Sequence, residues 1–277
     1  MTPQESLLYW IRERYWIYLS KEAGKPKPWS NDPVFQRTYF CNVHRENDKV
    51  TQWIRNYYSP HVGDDLFEYN IVLSRFLNWP DTLRRVGYLR EHNPVSLRND
   101  LMRMAEYGKI WGNAYVITTH GIKMPKAQYL CENVLGAVYE RLEHLRRQCR
   151  GAYCGYACAA LEEIEGIGSF LGAQIVADLK NTLGHPLSLA HDKKEFVRPG
   201  PGSLRGVKWY FSDSPSANYP INFQRDFAVI RKEVDEHWPE GVPPVDNQDL
   251  QNCLCEFDKY MRVKTGSGRS KRGYNGV

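Results

Sequence analysis

Apolar positions recur at three- and four-residue spacing along most of the chain. Leu7, Leu8, Ile11, Tyr15, Tyr18 and Leu19 fall on one side of the run from Glu5 to Leu19, with Arg and Glu on the other. That pattern predicts an amphipathic helix that ends before Gly24. The same periodicity predicts helices over 44–58, 64–78, 81–92 and 96–108, then 126–149 and 156–180, and last 222–237 and 246–261. The run 111–119 (WGNAYVITT) is β-branched and aromatic enough to predict one short strand, ended by Gly121. Two stretches, 24–36 and 184–220, hold too many prolines and glycines for regular structure and are expected as long irregular loops, the first anchored by Trp29. Irregular stretches of that length in a compact domain are usually functional. The expectation is an all-α protein with long irregular loops: a single helical domain over 1–277, with approximate subdomains 1–125 and 126–259 and a flexible basic tail 260–277.

Composition narrows the class. The 277 residues include 37 Lys and Arg against 32 Asp and Glu, a net charge of +5, and 42% are apolar. That is ample chain to bury a core without metal or disulfide staples. No apolar run reaches the roughly 18 to 20 residues of a membrane span, and the N-terminus is charged where a signal peptide is apolar. An intracellular location with no membrane partner is expected. The seven cysteines form no CxxC pair, which reads as reduced, buried thiols. Cys154 and Cys158 share a helix face, but zinc needs further ligands that are absent nearby, so no metal and no cofactor are expected. A GxxxxGK[ST] loop is absent, so the chain is not itself a P-loop kinase. The basic residues Arg262, Lys264, Arg269, Lys271 and Arg272 near the end read equally as a solvated terminus and as an arm contacting phosphates.

The sharpest local pattern is Leu161-Glu-Glu-Ile164-Glu-Gly166-Ile167-Gly168-Ser169, followed by Phe170, Leu171, Gly172 and Ala173. One helix ends at a Gly-Ile-Gly turn and another begins at once. Two glycines, Gly166 and Gly168, can take the positive φ that a tight turn requires, Ile167 enters the core, and Gly172 and Ala173 let the second helix pack closely. Backbone N–H groups around Gly166, Gly168 and Ser169, with the helix dipole, then favour a phosphate anion. The expected ligand is the backbone of double-stranded DNA; the alternative is a helical hairpin with a packing role alone. Beyond it lie two acids that could act in catalysis: Asp192, after the second helix, and Asp178 inside that helix, where a solvated or capping role is as consistent. Hairpin, helix, turn and aspartate in this order resemble DNA glycosylases of the helix-hairpin-helix class, in which the aspartate stabilises the cationic sugar of a flipped nucleotide. Phe170 stands where strand-cutting members carry a lysine, so Schiff-base lyase chemistry is not expected. In the next segment Arg198, Gly200, Gly202, Ser203 and Arg205 combine close-approach glycines, a hydroxyl and two guanidinium forks, which reads as a phosphate clamp or an ordinary turn.

Several blocks together resemble a family. They are Arg14-Tyr-Trp-Ile-Tyr-Leu19 with Lys25-Pro-Lys-Pro-Trp29, Phe40 through Thr51, Gly166-Ile-Gly168, Pro199 through Ser203, and Gln251 through Tyr260. Across nearly its whole length the chain is similar to the phage proteins of thymine hypermodification: the alpha-glutamyl/putrescinyl-thymine pyrophosphorylases and the helical domain of the 5-hydroxymethyluracil DNA kinase. The resemblance implies a DNA-glycosylase-like fold and a phage protein working in the host cytoplasm. It implies as partners DNA with modified pyrimidines, an amine or amino-acid co-substrate and a separate DNA kinase. The implied chemistry is substitution of the phosphorylated 5-hydroxymethyl group of a flipped uracil, with Asp192 orienting the amine. Alternatives are a monofunctional base glycosylase and a non-catalytic DNA-binding partner of the kinase. Arg45, Arg198 and Arg205 could hold the leaving phosphate, and Trp29, Tyr39 and Phe40 could wall the base. Trp29 and Phe40 are equally read as core aromatics, and Arg45 with Glu46 and Asp48 as a solvated ion-pair face. Asn42 and Asn252 could read a base edge or serve as buried caps, and Glu256, Asp258 and Lys259 look more like a salt-bridge network than an acid/base pair.

Overall fold

A computed structural model describes residues 1–113, 118–212, 219–268 and 274. In chain order the helices are α1 (Pro3–Glu22), α2 (Pro33–Arg37), α3 (Lys49–Tyr58), α4 (Phe67–Leu77), α5 (Pro80–Val86) and α6 (Pro94–Glu106). Next come α7 (Lys126–Gln128), running through a wider π turn (Tyr129–Val134) into α8 (Leu135–Glu140), then α9 (Leu142–Arg150), α10 (Cys154–Glu162) and α11 (Ser169–Lys180). The chain closes with α12 (Pro201–Ser212), α13 (Phe223–Glu236) and α14 (Asn247–Lys264). Among the described residues there is no strand, so the chain is all-α as its periodicity predicts. Of the expected strand 111–119, residues 114–117 lie outside the described residues.

The helix starts follow local chemistry. Thr2 and Glu5 cap each other's backbone at the head of α1, with Pro3 in its first turn. Asn222 and Asp246 cap α13 and α14 by accepting the N–H of Arg225 and Asp249. The structure corrects the expectation for 184–220: inside that stretch α12 forms. Pro201 opens it, where a missing N–H costs nothing, and Ser203 Oγ accepts the Gly200 N–H at 2.9 Å. The basic tail also begins later than residue 260, because α14 continues to Lys264 and Arg262 Nε donates to Asp258 within it. Arg269, Lys271 and Arg272 lie outside the described residues.

The chain divides into two compact units. Unit 1 joins Met1–Asp48 to Val197–Val277, and unit 2 is Lys49–Phe196. The approximate boundary expected at 125/126 falls within unit 2. In unit 1, Leu7, Trp10 and Ile11 of α1 pack with Phe35, Phe40, Phe257 and Tyr260. Helices α12 and α14 lie so close that a Cβ on Gly206 would stand 2.2 Å from the Leu254 carbonyl oxygen. In unit 2, α4 is buried on every side, from Phe67 to Leu77, which makes it the central helix of that core. No helix among the described residues is long and apolar enough to cross a membrane.

Candidate nucleic-acid interface

The hairpin expected from Gly166-Ile-Gly168 forms in unit 2 between α10 and α11. Gly166 sits at φ +92, and a Cβ there would lie 2.9 Å from Val134 Cγ2 and 3.0 Å from the Tyr129 hydroxyl, so both conformation and space demand glycine. Ile167 is buried, its N–H bonded to the Ile164 carbonyl at 3.0 Å. Gly172 faces Cys158 on α10, where a Cβ would touch Sγ at 3.4 Å. Gly168 differs from its neighbours. It is exposed, has φ −81, meets nothing within 4 Å of its Cβ position, and brings no side-chain oxygen to the start of α11. Ser169 beside it is half-buried. Backbone shape thus leaves the Gly168 side open to a ligand. Charge does not add much: a helix N-terminus favours an anion by about 0.3–1 kcal/mol, and Glu162, Glu163 and Glu165 crowd the same turn. Arg141 pairs with Glu163 at 2.9 Å.

Both candidate catalytic aspartates are held in structural bonds. Asp192 Oδ1 accepts the Cys154 N–H at 2.6 Å and Oδ2 the Gly155 N–H at 3.0 Å, so the carboxylate caps α10 from a distant segment. Cys154 beside it stays a thiol, its pKa pushed up to about 12, first by burial and then by the Asp192 charge. Asp178 is buried and takes both Nε and Nη2 of Arg75. The same guanidinium donates to Asn78 Oδ1 at 3.1 Å and Thr51 Oγ1 at 3.2 Å. This buried fork ties α4 to α11.

The remaining predicted site residues lie in unit 1. Gly200, Gly202, Ser203 and Arg205 do not form a loop clamp. Ser203 is fully buried and spends its hydroxyl on Gly200, while Gly202 faces Cys255, whose Sγ would stand 2.3 Å from a Cβ. Gly202 serves close helix packing. Arg205 is partly exposed and donates from Nε to Asp258 Oδ2 at 3.0 Å, where Trp209 and Arg262 also converge. Arg198 is half-buried just ahead of α12. Arg45 is 9% exposed: its N–H bonds Asp249 Oδ1 at 2.9 Å and its guanidinium reaches Glu46 at 3.3 Å. Phe40 is a core aromatic, 5.1 Å from Phe35 and 5.9 Å from Trp10 between ring centres. Asn42 accepts from Arg14 Nη2 and donates to the Asn47 carbonyl at 2.8 Å. Trp29 is half-buried, its indole N–H on the Lys25 carbonyl at 2.8 Å.

Two functional-looking groups escape sequence reasoning. Arg14, inside one of the family-like blocks, reads as the polar face of α1 yet is 5% exposed, because its Nε holds the Phe40 carbonyl at 3.2 Å. Glu68, Cys149 and His185 lie together, buried, at the spacing of a metal site. His185 Nδ1 accepts the Leu187 N–H at 3.3 Å, which places a neutral ring's proton on Nε2, 3.4 Å from Glu68 Oε1. The trio reads as a hydrogen-bonded His–Glu pair, with burial pushing the Cys149 thiol up.

Comparison with known proteins agrees with the blocks that carried the resemblance. Residues 3–270 match the family described as 5-hmdU DNA kinase, helical domain. A 5-hmdU DNA kinase of Bacillus phage SP10 is 22% identical over 292 residues, covering 95% of this chain and 45% of the relative, so the chain spans about half the relative's length. No solved structure matches. The chain belongs to the 5-hmdU DNA kinase helical-domain family.

Proposed function

We propose that this chain engages 5-hydroxymethyluracil-containing DNA for thymine hypermodification, and that it supplies binding while phosphoryl transfer is performed by a separate DNA kinase. It rests on one observation: the two carboxylates that the sequence offers as candidates for base chemistry, Asp192 and Asp178, are committed to a helix cap and to a buried guanidinium. The absent GxxxxGK[ST] loop accords with this. The curated relative named a 5-hmdU DNA kinase extends well beyond the stretch matched, which covers 45% of it. DNA is met at the hairpin, with Gly168 and Ser169 against a backbone phosphate.

Substitution at the 5-methylene by an amine or amino acid, and N-glycosidic cleavage, would each require Asp192 or Asp178, if either acts, to leave its present bonds. The discriminating experiment incubates duplexes containing 5-hydroxymethyluracil, plain or phosphorylated on the 5-methylene, with the chain and a pool of amines and amino acids. Nucleosides are then read by mass spectrometry alongside gel retention of the DNA. The expected result is retained DNA with unchanged nucleosides. A new thymidine adduct, or abasic sites with free base, would overturn it.

A further inference from the structure

Arg14 and Lys21 lie seven residues apart on α1, two helical turns along one side. Arg14 is buried, with Nε on the Phe40 carbonyl and Nη2 on Asn42, but its Nη1 is buried with no acceptor. A buried charged N–H left unmet is destabilising, so an acceptor brought to it is favoured. The acid nearest in effect, Glu256, is already engaged: Lys259 Nζ reaches its two oxygens at 2.9 and 2.7 Å, and the Cys41 N–H reaches Oε2 at 3.0 Å. Lys21 Nζ donates to the Tyr274 hydroxyl at 2.6 Å and stands 4.7 Å from the centre of the Trp29 ring. Lys27 Nζ lies 5.3 Å from that same ring. Neither Arg14 nor Lys21 has a carboxylate ion pair among the described residues.

Like charges held close repel one another, and burial raises that repulsion. Lys21 registers it: its pKa is drawn down to about 8, first by burial, then by Arg14 and Lys27. Such a cluster is stabilised by an anion of more than one charge. The donor geometry selects further. Arg14 has one nitrogen, Nη1, left to donate rather than a two-nitrogen fork, so the bidentate match to a flat carboxylate is lost and an anion carrying several charged oxygens is favoured.

We propose that Arg14 and Lys21, beside Trp29, form a phosphate-binding site in unit 1 that takes a phosphomonoester or diphosphate group. It shares no residue with the hairpin or with the clamp expected at 198–206, and its oxygen partners are Arg14 Nη1 and Lys21 Nζ. A phosphate of this class comes from a free mononucleotide or from a terminal monoester on nucleic acid, and the two are separable.

Calorimetric titration of the full chain with inorganic pyrophosphate is the test, using wild type, Lys21→Gln and Lys21→Arg. Lys21 is half-buried at the end of α1, so these variants leave the core untouched, whereas Arg14→Gln risks the fold and serves only as a supporting variant. Binding by wild type, a loss of about tenfold or more in Lys21→Gln and recovery in Lys21→Arg are expected. No binding by wild type, or equal binding by Lys21→Gln, overturns the site. Competition by ADP assigns a mononucleotide, and competition by a 5′-phosphorylated oligonucleotide but not its unphosphorylated twin assigns a nucleic-acid monoester. Equal competition by the unphosphorylated strand overturns the monoester assignment. A Gly168→Glu variant, altered only at the hairpin, retains pyrophosphate binding, so failure of the DNA reading and failure of this one are distinguishable.

Discussion

Asp192 closes the N-terminus of α10 from 38 residues downstream of Cys154, whose N–H its Oδ1 accepts at 2.6 Å. A side chain that satisfies two orphan amides at a helix start is a structural device. Asp192→Ala is therefore expected to lower stability by about 0.5–2 kcal/mol in denaturant unfolding, with affinity for DNA unchanged at temperatures where the variant is folded. Loss of DNA affinity in a fully folded Asp192→Ala protein would show that the carboxylate meets the ligand.

Asp178 predicts a larger effect. Breaking a buried pair by removing one partner leaves an uncompensated charge and costs about 3–5 kcal/mol, so Asp178→Asn should unfold at markedly lower denaturant than wild type. The double variant Arg75→Met, Asp178→Leu removes both charges from α4 and α11 and should recover much of the loss. Equal damage in single and double variants would contradict the structural assignment of this pair.

Much of the helical pattern is legible in the sequence because single-sided apolar spacing, as in Leu7, Leu8, Ile11 and Tyr15, leaves little choice. Gly166 and Ile167 are legible for the same kind of reason, since a tight turn has few chemical solutions. Helix α12 is not. Pro201, Gly202 and Gly206 carry the composition of a loop, and only contact with α14, a helix more than thirty residues on, makes those glycines helical packing positions. Asp192 misleads similarly, because its partners are backbone amides that leave no mark in the sequence. Arg14 is hidden by its chemistry: a guanidinium at helical spacing reads as solvent-facing until the Phe40 carbonyl and Asn42 are seen to surround it.

Close packing makes Gly206 a sensitive position. A Cβ there meets backbone, the Leu254 carbonyl oxygen at 2.2 Å and its carbon at 2.8 Å, and backbone cannot swing aside as a side chain can. Gly206→Ala should cost about 1–3 kcal/mol or more through overpacking, read as a lower thermal midpoint. Gly136→Ala on α8 meets nothing within 4 Å and should be neutral or slightly stabilising by helix propensity.

Lys21 gives the protein a pH signature. Its folded pKa of about 8 lies below the ordinary 10.5, so between those values the unfolded chain binds more protons and stability rises with pH. An anion at Arg14 and Lys21 reverses the shift, because it favours the charged amine. Facing it are Arg14 on its own helix, Lys27 and Trp29 in the following loop, and Tyr274. Sulfate, which does not titrate in this range, should bind with proton uptake near pH 8 and more weakly as pH rises above it. Titrations in buffers of different ionisation heat read that uptake, and proton-neutral binding would contradict it.

The most direct test of the DNA-binding account is fluorescence anisotropy of a labelled 5-hydroxymethyluracil duplex titrated with wild type and with Gly168→Glu. Gly168 has an ordinary φ of −81 and open space around it, so the substitution leaves α10 and α11 folded while adding bulk and negative charge where the phosphate should sit. The account predicts a fall in affinity of about tenfold or more with an unchanged thermal midpoint. Equal affinity in the two proteins would contradict it.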